Sequence, residues 1–379
     1  MKRIDMIPRP DWPKKMEDLG FSFHSIDGIY WDERACYRFT ADEVDTLESA
    51  TAQLHQMCIG AAAHVIDQGG YERFAIPAEF IPMIERSWSD DEASLFGRFD
   101  LSWSGVGAPK MLEYNADTPT SLLEASVAQW YWLQEAVLPN MPMADQFNSL
   151  HEKLIERWKE ILPGLPGNIV HFTAAAGSEE DVGNIEYLRD VATQAGIDAR
   201  FIDIGAIGWD TVAKCFADEQ NVEIKSLFKL YPWEWLVREA FGSNLIGSSM
   251  RVIEPAWKML LSNKAILPVL WELYPDHPNL LASYFEPQKF TTDFVKKPLL
   301  SREGANVTIT TPSGEVAVAG EYGAEGFIYQ AYHPLPVYGG SHTVIGTWII
   351  GDEPAGMGIR EDESPVTKNT SRFLPHYFI

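Results

Sequence analysis

Five residues with the chemistry of a metal–phosphate site lie within about twenty positions of one another: Arg98, Asp100, Glu113, Asn115 and Asp117. The glycines, proline and serine at 104–109 predict a turn, so FDLSW and KMLEYNA pair as a hairpin. Alternate side chains of a strand share a face, which brings Asp100 across from Glu113 and Asn115. Two carboxylates and one amide oxygen form the hard oxygen site that suits magnesium beside a phosphate. The alternative is a hairpin with solvated surface charges.

Three hydroxyl residues follow the hairpin at the predicted start of a helix with the sequence SLLEASVAQWYWLQEAVL: Thr118, Thr120 and Ser121. Free backbone N–H groups and the helix dipole favour an anion at such a position. We therefore expect a metal and an anion side by side. An ordinary helix cap is the alternative interpretation.

Three basic residues lie in the carboxyl-terminal third: Lys264, Lys297 and Arg360. Lys297 ends a predicted strand and precedes the glycine-containing turn Ser301–Gly304, so its ammonium and the N–H groups of the turn predict a phosphate clamp. The GxxxxGK[ST] loop is absent, and no GxGxxG follows a strand, which argues against the usual dinucleotide fold. The glycines at 356 and 358 predict a mobile closing loop around Arg360. In the alternative interpretation, Arg360 has a structural role and pairs with Glu361 or Asp362.

The elements that must position these residues alternate between helical and extended patterns. Thr40 and Glu43 form a capping box for a long helix over 40–67, with apolar residues recurring on one side. A second amphipathic helix is predicted over 145–162. A buried strand, a helix and another strand follow, which is a βαβ pattern typical of a parallel sheet; they are predicted at 168–173, 179–195 and 199–204. Short strands with the sequences TTDFVKK, NVTIT, EVAVAG, GFIYQAY and HTVIGTWII fill the carboxyl-terminal third.

The composition is that of a well-packed protein. The chain has 379 residues, of which 46% are hydrophobic and 12% aromatic, enough for a large core divided into two or three joined lobes. No apolar run approaches the roughly 20 residues of a membrane span, and MKRIDMIPRPDW lacks the apolar centre of a secretory signal. We expect a cytoplasmic protein whose dispersed cysteines, Cys36, Cys58 and Cys215, are small buried hydrophobes.

The formal net charge is −24. Nucleic acids and anionic membranes require a basic surface, so both are excluded as expected partners. A cationic partner suits this charge, while acidity that serves only solubility is the alternative.

Five blocks of sequence resemble, in order, the synthetase domain of the glutathionylspermidine synthase family: RFD…LEYNADTPTSLLEA, SNKAILPVLW, KPLLSREGANV, YQAYHPLP and GIRED. The resemblance implies an α/β (α+β) ATP-grasp fold with a preceding pre-ATP-grasp region. We expect a helical region with the hairpin over 1–165, a βαβ region over 166–245 and the ATP-grasp region over 246–379. Bifunctional members also carry an amidase with a cysteine nucleophile. Because the synthetase pattern begins almost at Met1, we expect no such domain here.

The resemblance also implies an activity, that of an ATP-dependent acid–amine ligase with ATP and Mg²⁺ as its cofactors. A carboxylate attacks the γ-phosphate of ATP, and an amine then displaces phosphate from the acyl phosphate to form an amide. The substrates would be a small peptide-like acid, similar to glutathione, and a polyamine-like amine.

By position in the matching blocks, the resemblance assigns roles to individual residues. Asp100, Glu113 and Asn115 would hold magnesium. Lys264, Lys297 and Gln330 would contact ATP, with Lys296 a bystander on the other strand face. Arg98 and Arg360 would contact the transferring phosphate and the acyl phosphate.

The substrate residues carried over in this way are less closely matched. Thr118, Thr120 and Ser121 fall where the family binds the reacting end of its acid, although Pro119 departs from the family pattern. The family binds its polyamine with carboxylates, and Glu179, Glu180 and Asp181 are the nearest acidic cluster by order along the chain, which makes Glu179 and Glu180 the candidates for the amine. Acidic residues in the first turn of a helix also complement its dipole, which is their alternative role.

Two other functions remain compatible with the sequence. A non-catalytic nucleotide- or polyamine-binding protein could keep the fold without turnover. A kinase- or phosphatase-like phosphoryl transferase would release phosphate products without an amide, but the sequence lacks a catalytic loop of the HRDxxxxN type.

Overall fold

The computed structural model describes residues 1–25, 28–175 and 177–379. Its strands are, in chain order, β1 Lys2–Asp5, β2 Ala35–Phe39, β3 Phe96–Ser102, β4 Lys110–Asn115, β5 Ile169–Ala174, β6 Asp198–Asp203, β7 Gly208–Asp210, β8 Cys215–Ala217, β9 Ser226–Lys229, β10 Arg251–Ile253, β11 Ser283–Tyr284, β12 Phe294–Pro298, β13 Thr308–Thr311, β14 Gly314–Ala317, β15 Phe327–Ala331, β16 Val337–Tyr338, β17 Ser341–Ile350, β18 Glu353–Asp362, β19 Arg372–Leu374 and β20 His376–Phe378.

The helices connect and cover these strands. They are α1 Trp12–Asp18, α2 Ala41–Gln68, α3 Ile81–Ser89, α4 Gln129–Trp132, α5 Leu150–Ile161, α6 Glu179–Gln194, α7 Trp233–Leu236, α8 Lys258–Leu261 and α9 Ile266–Leu273. π-Helical turns at Glu124–Ala128 and Leu133–Val137 flank α4. They extend it into one helical run over 124–137.

The main sheet is antiparallel and has the order β19–β18–β17–β3–β4, with β16 also paired to β17. The predicted hairpin is confirmed as β3 and β4, in which Asp100 lies opposite Glu113 and Arg98 opposite Asn115. β17 pairs with β3 on the side away from β4, and Gly346 lies opposite Asp100. A Cβ atom at Gly346 would lie 2.9 Å from Cδ of Arg98. The absence of a side chain there makes room for Arg98.

The prediction of a mobile loop around Arg360 is wrong. Residues 356–362 lie inside β18, which pairs with β17 on one side and β19 on the other. A Cβ at Gly358 would lie 2.6 Å from two ring atoms of Phe373, and one at Gly356 3.0 Å from Cγ of Leu150. These glycines therefore permit close packing across the sheet rather than motion.

A second sheet confirms the predicted βαβ pattern. Its order is β10–β9–β5–β6, and all of its pairs are parallel. α6 connects β5 to β6, as the sequence predicts. The helix predicted to begin at residue 145 begins instead at Leu150, because Asp145 and Asn148 form bridges with Phe378 and Gly356.

A third, antiparallel sheet has the order β11–β15–β12–β13–β14. It contains four of the predicted carboxyl-terminal strands, and HTVIGTWII forms β17 of the main sheet. In this third sheet Val295 of β12 lies opposite Gln330 of β15. Lys297 and Gln330 are consequently on neighbouring strands, where their side chains can meet.

Helix α2 packs on the main sheet and follows the prediction closely. Thr40 accepts from the backbone of Glu43, whose side chain accepts from the backbone of Thr40, and Gly69 ends the helix in a left-handed conformation. Such a cap stabilises a helix by about 1 kcal/mol. The apolar side of α2 is buried through residues such as Leu47 and Leu54, so the prediction of its buried face is confirmed.

Aromatic packing joins the main sheet to the parallel sheet. The ring of Phe96 on β3 lies 6.0 Å from that of Phe228, and Phe228 lies 5.2 Å from Phe172. Trp158 of α5 completes the group at 5.6 Å from Phe172. Burial of such rings is worth a few kcal/mol for each side chain. The two sheets therefore share one apolar core.

The predicted division at 165 and 245 stays a prediction. The main sheet takes strands from both the first and the third of the predicted regions, and β10 at Arg251–Ile253 completes the parallel sheet. A small sheet of order β1–β2–β20 joins the two ends of the described chain.

Two further sequence expectations concern membrane-spanning helices and the cysteines. None of the helices in the described residues has both the length and the apolar character needed to cross a bilayer. Cys36 and Cys58 are buried free thiols, as expected, whereas Cys215 is only half-buried.

Candidate active site

A cleft lies between the β3–β4 hairpin and the third sheet and consists of two adjoining cavities. The inner cavity is mostly apolar, with side chains from four strands and from two positions outside the strands: Leu112, Val295, Val307, Ile309, Gln330 and Leu335. The outer cavity is polar and is lined by residues that include Arg98, Asn115, Thr118, Thr120, Arg302 and Arg360. Asp100, Glu113 and Lys264 line both. One half thus suits a flat apolar group and the other an anion.

The paired carboxylates lie where the two cavities meet. Asp100 and Glu113 are cross-strand neighbours, a position in which side chains of one face are closest. Arg98 donates from Nε to Oδ1 of Asp100 at 2.8 Å and from Nη2 to Oδ2 at 3.2 Å. Asn115 Nδ2 also donates to Asp100 Oδ2 at 3.2 Å. The structure therefore brings the predicted hairpin residues together on one face.

Lys264, between α8 and α9, balances the second carboxylate. Its Nζ lies 3.2 Å from Oε2 of Glu113 and donates to the carbonyl of Ser301 at 2.9 Å. Burial alone would raise the pKa of Glu113, but Lys264, Lys297 and Arg98 together lower it to about 2. Glu113 is therefore an anion throughout the physiological pH range.

Lys297 on β12 points into the inner cavity. Its Nζ donates to the carbonyl of Leu112 and to Oε1 of Gln330, both at 2.8 Å. Burial lowers the pKa of Lys297 to about 8, against the attraction of Glu113. Lys296 lies instead over the ring of Phe327, 3.9 Å from its centroid. The prediction that the two lysines occupy opposite strand faces is confirmed.

The turn Ser301–Gly304 lies between the two cavities. Ser301 and Gly304 line both, and Gly304 has a φ of +70°. A Cβ there would lie 2.4 Å from Cγ1 of Val366, so only glycine lets the turn pack against the segment after β18. Arg302 donates from Nη1 to Oγ1 of Thr118 at 2.7 Å. The turn thereby presents a cation to the outer cavity.

The three hydroxyl residues do not cap the helix in the ordinary way. Thr118 and Thr120 line the outer cavity, whereas Ser121 is buried and has a φ of +71°. Its hydroxyl contacts the hydroxyl of Tyr30 at 2.9 Å and accepts from Nη1 of Arg360 at 3.3 Å. The capping alternative is therefore wrong for Ser121, because its side chain is engaged by residues distant in sequence.

The two predicted arginines approach the outer cavity from neighbouring parts of the main sheet. Arg98 Nη1 donates to the carbonyl of Thr120 at 2.7 Å. Arg360 donates to the carbonyls of Ser371, Lys368 and Asn369, each at 2.9 Å. In the described part of the chain it forms no ion pair with Glu361 or Asp362, so that alternative is wrong. Residues 360 and 361 of β18 face opposite ways, and Glu361 pairs with Arg3 and Arg372.

The acidic residues proposed for the amine lie at the start of α6. Glu179 is exposed and Glu180 half-buried, and Ser178 caps the helix by accepting from the backbone of Asp181. Neither glutamate is among the described residues that line the two cavities. Glu180 lies close enough to Tyr30 and Glu124 to raise the pKa of both. Its role in amine binding stays a prediction.

Several residues of the site carry no signal in a single sequence. Arg302 and Glu234 line the outer cavity, but nothing in their local pattern separates them from surface charges.

Asp117, which the sequence grouped with the hairpin by its spacing, forms a buried ion pair with Lys229 and accepts from the backbone of Trp233 at 2.8 Å. Asp117 therefore holds the parallel sheet to the hairpin.

The oxygen donors on the hairpin fit magnesium by their chemistry. Two carboxylates and an amide are the groups that a phosphate-bound Mg²⁺ accepts from protein. Across the described residues, no three His, Cys, Asp or Glu side chains gather as a metal cluster. The candidate set depends on Asn115 and on oxygens brought by a ligand.

Comparisons with known proteins agree on one family. A family model described as glutathionylspermidine synthase preATP-grasp matches residues 3–379. A provisionally named acid–amine ligase of Haemophilus influenzae is 42% identical, with both chains covered in full. Trypanothione synthetase of Crithidia fasciculata is 29% identical over 85% of this chain and 53% of its own length. The bifunctional glutathionylspermidine synthetase/amidase of Escherichia coli is 27% identical over 96% of this chain and 63% of its own.

Among solved structures, a glutathione synthetase-like effector from Globodera pallida in its apo form has the same fold. The TM-score is 0.57 at 10% sequence identity, and the match covers 99% of this chain and all of that one. At that identity the likeness concerns the fold alone.

Proposed function

The chain belongs to the glutathionylspermidine synthase family, and on that premise we propose that it is an ATP-dependent ligase that joins a peptide-like carboxylate to an amine. The observation that carries the proposal is the cleft, in which an apolar cavity continues into a polar one across Asp100 and Glu113. The fold is of the ATP-grasp type, and its mixed sheets agree with that class.

The inner cavity would hold the nucleotide. Its apolar lining suits the adenine base, and Gln330 offers an amide at the edge of that space. Lys264 and Lys297 would contact the phosphates or the base, since both are buried cations that face the same cavity. In a partly enclosed cleft such charge pairing is screened less than in water.

Asp100, Glu113 and Asn115 would hold magnesium beside the phosphates. Bound there, the ion would neutralise charge on the phosphates and orient the γ-phosphate. Arg98 donates one hydrogen bond to each oxygen of Asp100, and a turn of this arginine toward the phosphate would free those lone pairs for the metal. That movement would give Arg98 its place at the transferring group.

The outer cavity would hold the acid substrate. Thr118 and Thr120, with Arg302 beside them, would bind the carboxylate that attacks the γ-phosphate. Arg360 would stabilise the transferring phosphoryl group and the acyl phosphate, because a guanidinium can donate two hydrogen bonds to phosphate oxygens. Glu179 and Glu180 would attract the amine, which then displaces phosphate.

The decisive test is ADP release in the presence of ATP, Mg²⁺ and panels of acids and amines, with mass spectrometry of the product. We expect ADP release that requires one acid and one amine, together with an amide of their combined mass less water. ADP release without an amide would support a phosphoryl transferase, and nucleotide binding without release would support a binding protein.

The nucleotide part is tested by calorimetry with Lys264→Ala and Lys297→Ala. Both variants should bind ATP more weakly, and Lys296→Ala is the matched control because it removes the neighbouring lysine on the other strand face. Unchanged ATP affinity in both test variants would contradict the placement of the nucleotide in the inner cavity.

A further inference from the structure

A buried chain of hydrogen bonds lies behind the outer cavity and ends at Arg360. Glu124, in the first π-helical turn of the run 124–137, is completely buried. Its Oε1 accepts from the hydroxyl of Tyr30 at 2.7 Å. The same hydroxyl lies 2.9 Å from Oγ of Ser121, which lies 3.3 Å from Nη1 of Arg360. The guanidinium also lies over the ring of Tyr30, 5.2 Å from its centroid.

An ionised Glu124 both fixes the direction of this chain and attracts the guanidinium of Arg360. An ionised carboxylate can only accept, so Tyr30 donates to Glu124, Ser121 donates to Tyr30, and a lone pair of Ser121 remains for Arg360. A neutral carboxyl group can donate to Tyr30 or accept from it, so it no longer fixes this direction, and its attraction for the guanidinium is gone. Ser121 has two lone pairs and can accept from Arg360 in either direction, so the hold on Arg360 is weakened rather than broken.

We propose that Glu124 is a positioning residue that holds Arg360 at the cleft through Tyr30 and Ser121. The inference rests on the proposed function, because that function places Arg360 at the transferring phosphoryl group. Glu124 itself touches no substrate in this scheme. Its charge attracts the guanidinium, and its hydrogen bond to Tyr30 holds the ring over which that guanidinium lies.

The surroundings of Glu124 allow its charge to change near neutral pH. Burial is the main cause that raises its pKa to about 7, and Glu180 of α6 adds to it, while Tyr30 and Arg360 oppose it. These are the titratable and charged groups that face Glu124 from the 28–34 segment, α6 and β18. Burial also raises the pKa of Tyr30 far above its usual range, so Tyr30 keeps its hydrogen.

The second oxygen of Glu124 is a further sign that this carboxyl can carry a proton. Oε2 is buried and has no hydrogen-bond partner within 1–25, 28–175 and 177–379. A buried carboxyl oxygen without a hydrogen-bond partner costs much more free energy when the group is charged than when that oxygen carries the hydrogen of the neutral acid. Ionisation of Glu124 should therefore be lost, and the hold on Arg360 weakened, as the pH falls through about 7.

The test compares Glu124→Gln with the wild type across pH. In the wild type, turnover should fall as the pH decreases through about 7. The variant should turn over about tenfold more slowly at pH 8, without this acid limb and with an ATP KM close to that of the wild type. A purely structural role would change the rate without removing the limb.

A readout independent of activity uses protein labelled with ¹³C at the tyrosine ring. The Cζ signal of Tyr30, assigned with Tyr30→Phe, should shift with a midpoint near pH 7 in the wild type and stay constant in Glu124→Gln. If no acid and amine pair gives ADP release, the proposed function fails while this titration still tests the inference.

The control uses a matched pair on the opposite face of β18. Tyr37 donates to Oε1 of Glu361 and contacts the hydroxyl of Thr343 at 2.8 Å, the same arrangement of a buried tyrosine, a carboxylate and a hydroxyl. Tyr37→Phe should leave the acid limb in place, whereas Tyr30→Phe should move it to higher pH, because it removes a hydrogen bond that favours the charged form of Glu124. An acid limb that survives in Glu124→Gln, or a Tyr30 signal that does not move with pH, would overturn the proposal.

Discussion

The carboxylates of the hairpin are the residues on which the proposed chemistry depends most directly. Asp100→Asn or Glu113→Gln should abolish turnover, because one lost charge leaves the triphosphate poorly neutralised as charge moves, an effect above about 3 kcal/mol in the barrier. Steady-state ADP release measures this, and circular dichroism should show an intact fold. Near-normal turnover of both variants at ordinary magnesium concentrations would contradict the assignment of these carboxylates as metal ligands.

Arg360 should behave differently from the nucleotide residues. Arg360→Ala should keep ATP affinity within a few-fold and lose turnover by roughly a hundredfold, since the proposed contact strengthens in the transition state. Arg360→Lys should rescue poorly, because an ammonium cannot reproduce the bidentate geometry. Calorimetry and kinetics on the same preparations separate the two effects. A variant with wild-type turnover would leave Arg360 a structural residue that holds the carbonyls of Ser371, Lys368 and Asn369.

How much of the site could be predicted depends on distance along the chain. Asp100, Glu113 and Asn115 are on adjacent strands joined by a short turn, so their meeting follows from the alternation of one hairpin. Lys297 has a weaker local signal, the end of a strand before a glycine-containing turn, whereas the role of Lys264 came from the family resemblance. Tyr30 and Glu124 meet across tertiary structure, which a single sequence does not encode in any short pattern.

At the scale of elements, local patterns predicted helices and strands well and failed where distant segments intervene. The capping box of α2 and the βαβ unit depend on neighbouring residues, and both are confirmed. The start of α5 is late because Asp145 and Asn148 are drawn into bridges with other segments. The glycines around Arg360 suggested a loop because the side chain that requires a glycine at 358, the ring of Phe373, lies on another strand.

A substitution at one of these glycines tests that explanation. Gly358→Ala should lower the free energy of unfolding by about 1–3 kcal/mol, because the new methyl group would lie 2.6 Å from ring atoms of Phe373 in the middle of the main sheet. Gly164→Ala is the matched control, since nothing lies within 4 Å of its added Cβ. Urea denaturation of the three proteins provides the comparison. Equal stability of Gly358→Ala and the wild type would mean that β18 yields more easily than its packing suggests.

At the scale of the whole molecule, the net charge of −24 should act on the rate at which a cationic amine arrives. Raising the ionic strength from about 10 mM to about 150 mM shortens the screening length from about 30 Å to about 8 Å. The kcat/KM for a polyamine should then fall several-fold. With hydroxylamine, which is uncharged at neutral pH, the rate should change little. The same salt dependence for both nucleophiles would show that the acidity serves solubility alone.

The pairing of β3 with β17 has a consequence for folding during synthesis on the ribosome. A ribosome exposes the carboxylate hairpin, Phe96–Asn115, long before it has translated Ser341–Ile350, the strand that flanks β3 in the finished sheet. At bacterial or eukaryotic speeds of synthesis the delay is on the order of tens of seconds. Throughout that interval β3 has one bare edge, open to unsuitable strands. The nascent chain should therefore depend on chaperones until its last strands emerge.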